Sequence, residues 1–149
     1  MNIAKNLDQY NKNNVFFCEP IKNNVMNEGD FIRLIYSMHN VVLNGIYLVF
    51  ILNNVTCEKY YTKYKCNFIV SEHKDIIENI KNIEEELLKK YEISTKIPQF
   101  RIYDHIKNGT LKIFTDVGSA RECSFILKIS GIWETLYNYG VTYKFVKCK

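Results

Sequence analysis

The chain lacks every short motif that announces a hydrolase or a transferase. It has no GxSxG, no Gly-rich phosphate loop ending in Lys-Ser or Lys-Thr, and no HExxH. His39, His73 and His105 fall on separate stretches, and nothing in the sequence shows the activated, electropositive setting that a nucleophilic thiol needs, so a Cys–His dyad assembled only in three dimensions ranks well below a binding role. The expectation is a non-enzymatic protein with no cofactor, metal or small-molecule substrate. Long apolar runs are missing as well. The longest, Val41 to Leu52, is broken by Asn44-Gly45 and is too short to span a bilayer, so no membrane partner is expected. The five cysteines (18, 57, 66, 123 and 148) include no CxxC pair. With no secretory leader at the N-terminus, they point to an intracellular, reducing compartment without disulfides. Arginine occurs only at 33, 101 and 121, and tryptophan only at 133.

What the chain does have is tyrosine and lysine. Eleven Tyr and nine Phe stand among 149 residues, beside a formal charge of +4. Tyrosine suits half-buried strands and surfaces that stack on something. A charge of this size permits a polyanionic partner without demanding one. Lysine and asparagine are both frequent, as the codon usage of an AT-rich genome would produce.

One helix organises the rest. In Ser71 to Tyr91, residues Ile76, Ile80, Ile83 and Leu87 recur at spacings of four, three and four, which places them on one helical face. Acidic residues near its start and Lys89-Lys90 near its end complement the helix dipole, and Ser71 is the expected N-cap. Residues 1–30 read as a polar arm and loop, with Val15-Phe16-Phe17 a short edge strand or an anchor, and 31–149 as a single domain. Strands are predicted over Phe31 to Ser37, Val41 to Leu52 and Tyr60 to Val70, with a turn at Met38-His39-Asn40 and a loop over Asn53 to Glu58. Asn44-Gly45 is either a second tight turn or a bulge. After the helix, Asn108-Gly109 between Phe100–Lys107 and Thr110–Thr115 reads as a two-residue hairpin turn. Cys123 to Thr135, with a bulge at Gly131, and Val141 to Lys147 make a second hairpin, turning at Asn138-Tyr139-Gly140. Three strands, a helix, then strands is the element order of an OB-like antiparallel β-barrel. A plain antiparallel sheet with one packed helix is the competing architecture.

Basic residues interleave with aromatic ones in two places. Lys59-Tyr60-Tyr61-Thr62-Lys63-Tyr64-Lys65 is the first, and from it Lys59, Tyr61, Lys63, Tyr64 and Lys65 are candidate site residues. The outward face of the predicted hairpin supplies Arg101, Tyr103, His105, Lys107, Lys112 and Phe114. Cations that track phosphates beside rings that stack on bases are how single-stranded nucleic acid is held. The expected partner is therefore single-stranded DNA, or RNA, bound with little sequence preference because lysine tracks phosphates rather than reading bases. Alternating Tyr and Lys is also what a solvated sheet edge looks like. The competing function is thus a structural or interaction protein, or a homo-oligomer, that uses the Tyr-rich edge and the Trp133 region as an interface.

In its element order over 31–147, in the stretch Leu127 to Phe145 and in its Lys/Asn-rich composition, the chain resembles the small OB-fold single-stranded DNA-binding proteins of large DNA viruses. The resemblance implies a protein that coats DNA exposed in replication, recombination or repair, in a host cytoplasm or nucleus. Such proteins often carry an acidic C-terminal tail that recruits partners. This chain ends Lys147-Cys148-Lys149, which does not fit tail-mediated recruitment.

Overall fold

The computed structural model describes residues 4–22, 29–38, 40–116 and 118–148. In chain order these form β1 (Lys5–Asn6), β2 (Val15–Lys22), β3 (Asp30–Met38), β4 (Val41–Leu43), β5 (Ile46–Tyr60) and β6 (Lys63–Asn67). Next come helix α1 (Lys74–Lys90), β7 (Ile97–Gln99), a short helix α2 (Arg101–Ile106), β8 (Thr110–Ile113), β9 (Ala120–Glu134) and β10 (Asn138–Lys147). Short 3-10 turns cover Leu7–Gln9, Lys12–Asn14 and Val70–Glu72. The fold is mainly antiparallel β with one long helix. Most of the loop expected before Asp30, and His39 in the turn after β3, lie outside the described residues.

β9 is the central strand. One edge pairs with β10 from Phe125 to Glu134, and the other pairs first with β5 and then, from Gly131 to Glu134, with β3. β3 also pairs with β2 and, at Tyr36 to Met38, with β4. β4 and β5 therefore pair with different neighbours, and Asn44-Gly45 is the bend where the chain passes from β3 to β9 rather than the turn of a hairpin. At its far end β5 pairs with β6, and β6 with β8. The expected bulge is present: Thr142 faces Gly131 while Tyr143 faces Ile129, so Ser130 is the extra residue.

The strand path β2-β3-β9-β5-β6-β8 has two free ends, so the sheet is not closed. Even so, β8 lies beside β10, although they are the two ends of the run β10-β9-β5-β6-β8. That run is therefore curled on itself. α1 buries Ile77, Ile80, Ile83, Leu87 and Leu88 in the same core as Leu48, Phe50, Leu52, Phe125, Leu127, Ile129 and Phe145. Fully burying a side chain of this kind is worth about 1.5–3 kcal/mol, so this stripe holds the helix to the sheet. The helix begins three residues after Ser71. His73 occupies the N-cap position without capping through its side chain, and Ile76 is only half-buried.

Three further expectations are corrected. Residues 5–14 are built into the fold rather than forming a loose arm: Lys5 and Asn6 pair with β5, and Tyr10 stacks on Tyr36 at 6.2 Å. The edge strand expected at Val15-Phe16-Phe17 is present and runs on past Pro20 to Lys22 as β2, paired with β3. Asn53 to Glu58 is strand, with a two-residue turn at Tyr61-Thr62 closing the β5–β6 hairpin, so the following strand is shorter than Tyr60 to Val70. Most consequentially, Phe100 to Lys107 is not a hairpin strand. Arg101–Ile106 is helical, with Ile102 and Ile106 buried one turn apart. Its first turn is capped from a distance: the Glu84 carboxylate on α1 accepts the Ile102 N–H at 2.8 Å and the Tyr103 N–H at 2.9 Å. Two orphan amides of the helix start are thereby satisfied. Asn108-Gly109 turns the chain off this helix instead of joining two strands. Gly109 has φ +81°, and a Cβ there would stand 2.5 Å from the Phe68 carbonyl oxygen, which accepts no such neighbour. The second hairpin turns at Leu136-Tyr137, two residues earlier than expected, with Asn138 to Gly140 already in β10.

Candidate nucleic-acid interface

The far end of β5, with β6 and β8, makes a small three-stranded sheet. Its register fixes what each face carries. Cys57 faces Cys66, which faces Leu111; Lys59 faces Tyr64, which faces Ile113. Cys66, Leu111 and Ile113 are buried, so this is the core face, and Tyr64 packs against the core as a half-buried ring. The alternate residues belong to the outer face: Glu58 beside Lys65 beside Lys112, and Tyr60 beside Lys63. Phe114, which follows Ile113, is 65% exposed on that side.

On this outer face cations sit over rings. The Lys65 and Lys112 ammonium groups lie 4.6 and 5.2 Å from the centroid of Tyr60, and Lys63 lies 5.3 Å from that of Phe114. Tyr61, 82% exposed at the hairpin tip, meets Tyr60 edge-on at 4.8 Å. Among the described residues none of these three lysines forms an ion pair with a carboxylate. Glu58 lies across from Lys65, but its carboxylate accepts from the Asn67 amide at 3.4 Å. Ring faces attract ammonium groups without cancelling their charge. The face therefore keeps its positive potential.

Beside it an open depression of about 560 Å³ is lined by Lys65, Asp104, His105, Asn108, Thr110, Lys112 and Tyr143. Its only acid, Asp104, is engaged by Lys107 at 3.1 Å. His105 spans the gap between β8 and β10. Its Nε2 accepts the backbone N–H of Lys112 at 3.2 Å, and its Nδ1 lies 2.9 Å from the Tyr143 hydroxyl, which donates to the Arg101 carbonyl at 3.2 Å. That chain of donors assigns the imidazole proton to Nδ1. Burial, and then the charges of Lys112 and Lys63, push the His105 pKa down to about 4. His105 is thus neutral near pH 7, a bridge rather than a phosphate-binding cation. Burial likewise pushes Tyr143 up to about 12.

The expected site residues separate into groups. Lys63, Lys65, Lys112, Phe114 and Tyr61 share the outer face or its tip, with His105 beside them. Lys59 and Tyr64 belong to the opposite face. Because 101–106 is helical, its side chains do not line one strand face: Arg101 stacks over Trp133 at 4.1 Å, Tyr103 lies under Lys81 at 5.2 Å, and Lys107 pairs with Asp104. Trp133 is 6% exposed, and a Cβ at Gly140 would meet its ring at 2.7 Å, so it is wedged between β10 and Arg101. An interface built on that ring would first have to displace Arg101. Sequence reasoning missed Tyr60 as the ring shared by two lysines, and Tyr143. Tyr60 lies within the basic-aromatic run, but its place beside both lysines is set by the β5–β6–β8 register, which no local signal reveals.

Among the described residues no group of His, Cys, Asp and Glu is arranged to hold a metal ion, and no helix is long and apolar enough to cross a membrane. No family model, curated protein or solved structure matches the chain.

Proposed function

We propose that the outer face of the β5–β6–β8 sheet binds single-stranded nucleic acid, DNA in the first instance, with little sequence preference. The observation that carries this reading is the set of three lysines held over exposed rings with no carboxylate partner among the described residues. Such a face offers phosphates their counter-charge, and it offers bases Tyr60, Tyr61 and Phe114 once the lysines swing outward. Base–aromatic stacking contributes about 1–3 kcal/mol per ring, which is ample for binding by a small surface. The curled run of strands carrying one helix supports an OB-like reading of the architecture, the likeness from which a role in coating replicating, recombining or damaged viral DNA follows. A binding protein, rather than an enzyme, working inside the cell completes the proposal.

The second reading, a protein interface or self-association, draws on the same exposed Tyr61 and Phe114. Salt separates the two. Three lysines neutralising three phosphates give a slope of log K against log salt of about −2 for a single strand. An apolar protein contact has no such slope. Fluorescence polarisation with labelled single-stranded and duplex oligonucleotides across a salt series is the test. Tight, salt-sensitive binding of single strands supports the proposal, and no binding at low salt overturns it.

A further inference from the structure

Cys57 and Cys66 face each other directly across β5 and β6. Their place in the ladder follows from the turn. Tyr61-Thr62 is a hydrogen-bonded two-residue turn, so the flanking Tyr60 and Lys63 form a hydrogen-bonded pair. Pairs alternate from there, which puts Cys57 and Cys66 at a non-hydrogen-bonded position. At such positions the Cα atoms stand about 4.5 Å apart, within the roughly 4.4–6.8 Å that a disulfide spans. The Cys57 thiol is among the neighbours that, after burial, raise the Cys66 pKa. Cys66 is fully buried, whereas Cys57 is partly open to solvent.

We infer that Cys57 and Cys66 are a dithiol pair that closes reversibly to a cross-strand disulfide when the cell offers a small-molecule disulfide such as oxidised glutathione. The order of events follows from access. The Cys57 thiolate attacks the glutathione disulfide, forms a mixed disulfide and releases one glutathione thiolate. The Cys66 sulfur then attacks Cys57 Sγ, the Cys57–glutathione bond breaks, and the departing glutathione takes the Cys66 proton. Two protein thiols are oxidised and one glutathione disulfide is reduced to two thiols. Burial pushes the Cys66 thiol up to about 12, which makes it the poorer first attacker, and the mixed disulfide on Cys57 then brings the second reaction within its reach. Cys123, buried on the neighbouring β9, is the competing partner. The inference stands whether or not the outer face binds nucleic acid.

The test treats the folded full chain with oxidised glutathione, quenches in acid, and reads intact mass and tryptic peptides. Lys59, Lys63 and Lys65 lie between the two cysteines, so a bridge joins two separate peptides. The expected result is a loss of two hydrogens, a Cys57–Cys66 cross-linked peptide and an unchanged far-ultraviolet circular dichroism spectrum. Cys66→Ser should stop at a glutathione adduct on Cys57, and Cys57→Ser should leave Cys66 unmodified. The inference is overturned if wild type stops at the mixed disulfide, if Cys57 links to Cys123, if Cys66 reacts in Cys57→Ser, or if bridging requires urea.

Discussion

Two buried ionisable groups stand at either end of α2, and their effects on stability oppose each other. Burial raises the Glu84 carboxyl from 4.5 to about 7, outweighing the two amide hydrogen bonds that favour its charged form. Burial and neighbouring lysines lower His105 from 6.5 to about 4. A raised pKa gives stability that is complete below the unfolded value and is lost as pH rises, here between pH 4.5 and about 7. A lowered pKa gives stability that is complete above the unfolded value and is lost as pH falls, here between pH 6.5 and about 4. The Glu84 displacement corresponds to about 3 kcal/mol. His105 is partly open to solvent, and discounting for screening leaves about 1–2 kcal/mol. Over the shared window the two slopes partly offset each other, with Glu84 the larger, and single variants should separate them. Relative to wild type, Glu84→Gln should gain about 3 kcal/mol between pH 4 and pH 8. This gain sits on a constant loss of about 1–3 kcal/mol for the amide left without its acceptor. His105→Gln should gain about 1–2 kcal/mol relative to wild type as pH falls from 7 to 4. Urea titrations followed by circular dichroism at half-unit pH steps measure both differences. Variant and wild-type profiles that run parallel across the window would refute the reasoning.

Other expected outcomes are quicker to check. Gly140→Ala places a methyl 2.7 Å from the Trp133 ring and should cost about 1–3 kcal/mol, visible as a lower melting temperature. Tyr60→Ala should weaken single-strand binding by about 1–3 kcal/mol in polarisation titrations while leaving the melting temperature nearly unchanged. Tyr64→Ala should do the reverse, because its ring packs on the core face. Removing charge at Lys65 and Lys112 together should flatten the salt slope by about 1.4.

What could be read from the sequence followed how local the determinants are. α1 was legible because its buried stripe is set by its own spacing, β3 because it is rich in β-branched and aromatic residues, and β9 and β10 because apolar residues alternate along much of each. α2 was not, because its decisive partner, Glu84, lies 18 residues away and on another element. The i, i+4 spacing of Ile102 and Ile106 was the available sign, and it was overridden by the hairpin signal of Asn108-Gly109. Asn53 and Asn54 read as a loop since Asn54 does adopt φ 55°, yet pairing with β9 carries the strand through. The site was half legible for the same reason. Lys63, Lys65, Lys112 and Phe114 are candidates because basic and aromatic residues interleave around them. Which face each occupies depends on a register that only the assembled sheet defines.

The His105 bridge has a mechanical consequence. Where a β8–β10 ladder would carry many main-chain bonds acting together, the two strands are tied by an imidazole with one contact to each. Loosening this outer rim breaks few hydrogen bonds and leaves every strand pair intact, with Leu111, Ile113 and Phe145 still packed in the core beneath. The seam can therefore breathe on its own, so amide exchange at Lys112 should be fast compared with exchange along β9, and a long polymer laid across the outer face would meet a rim that yields.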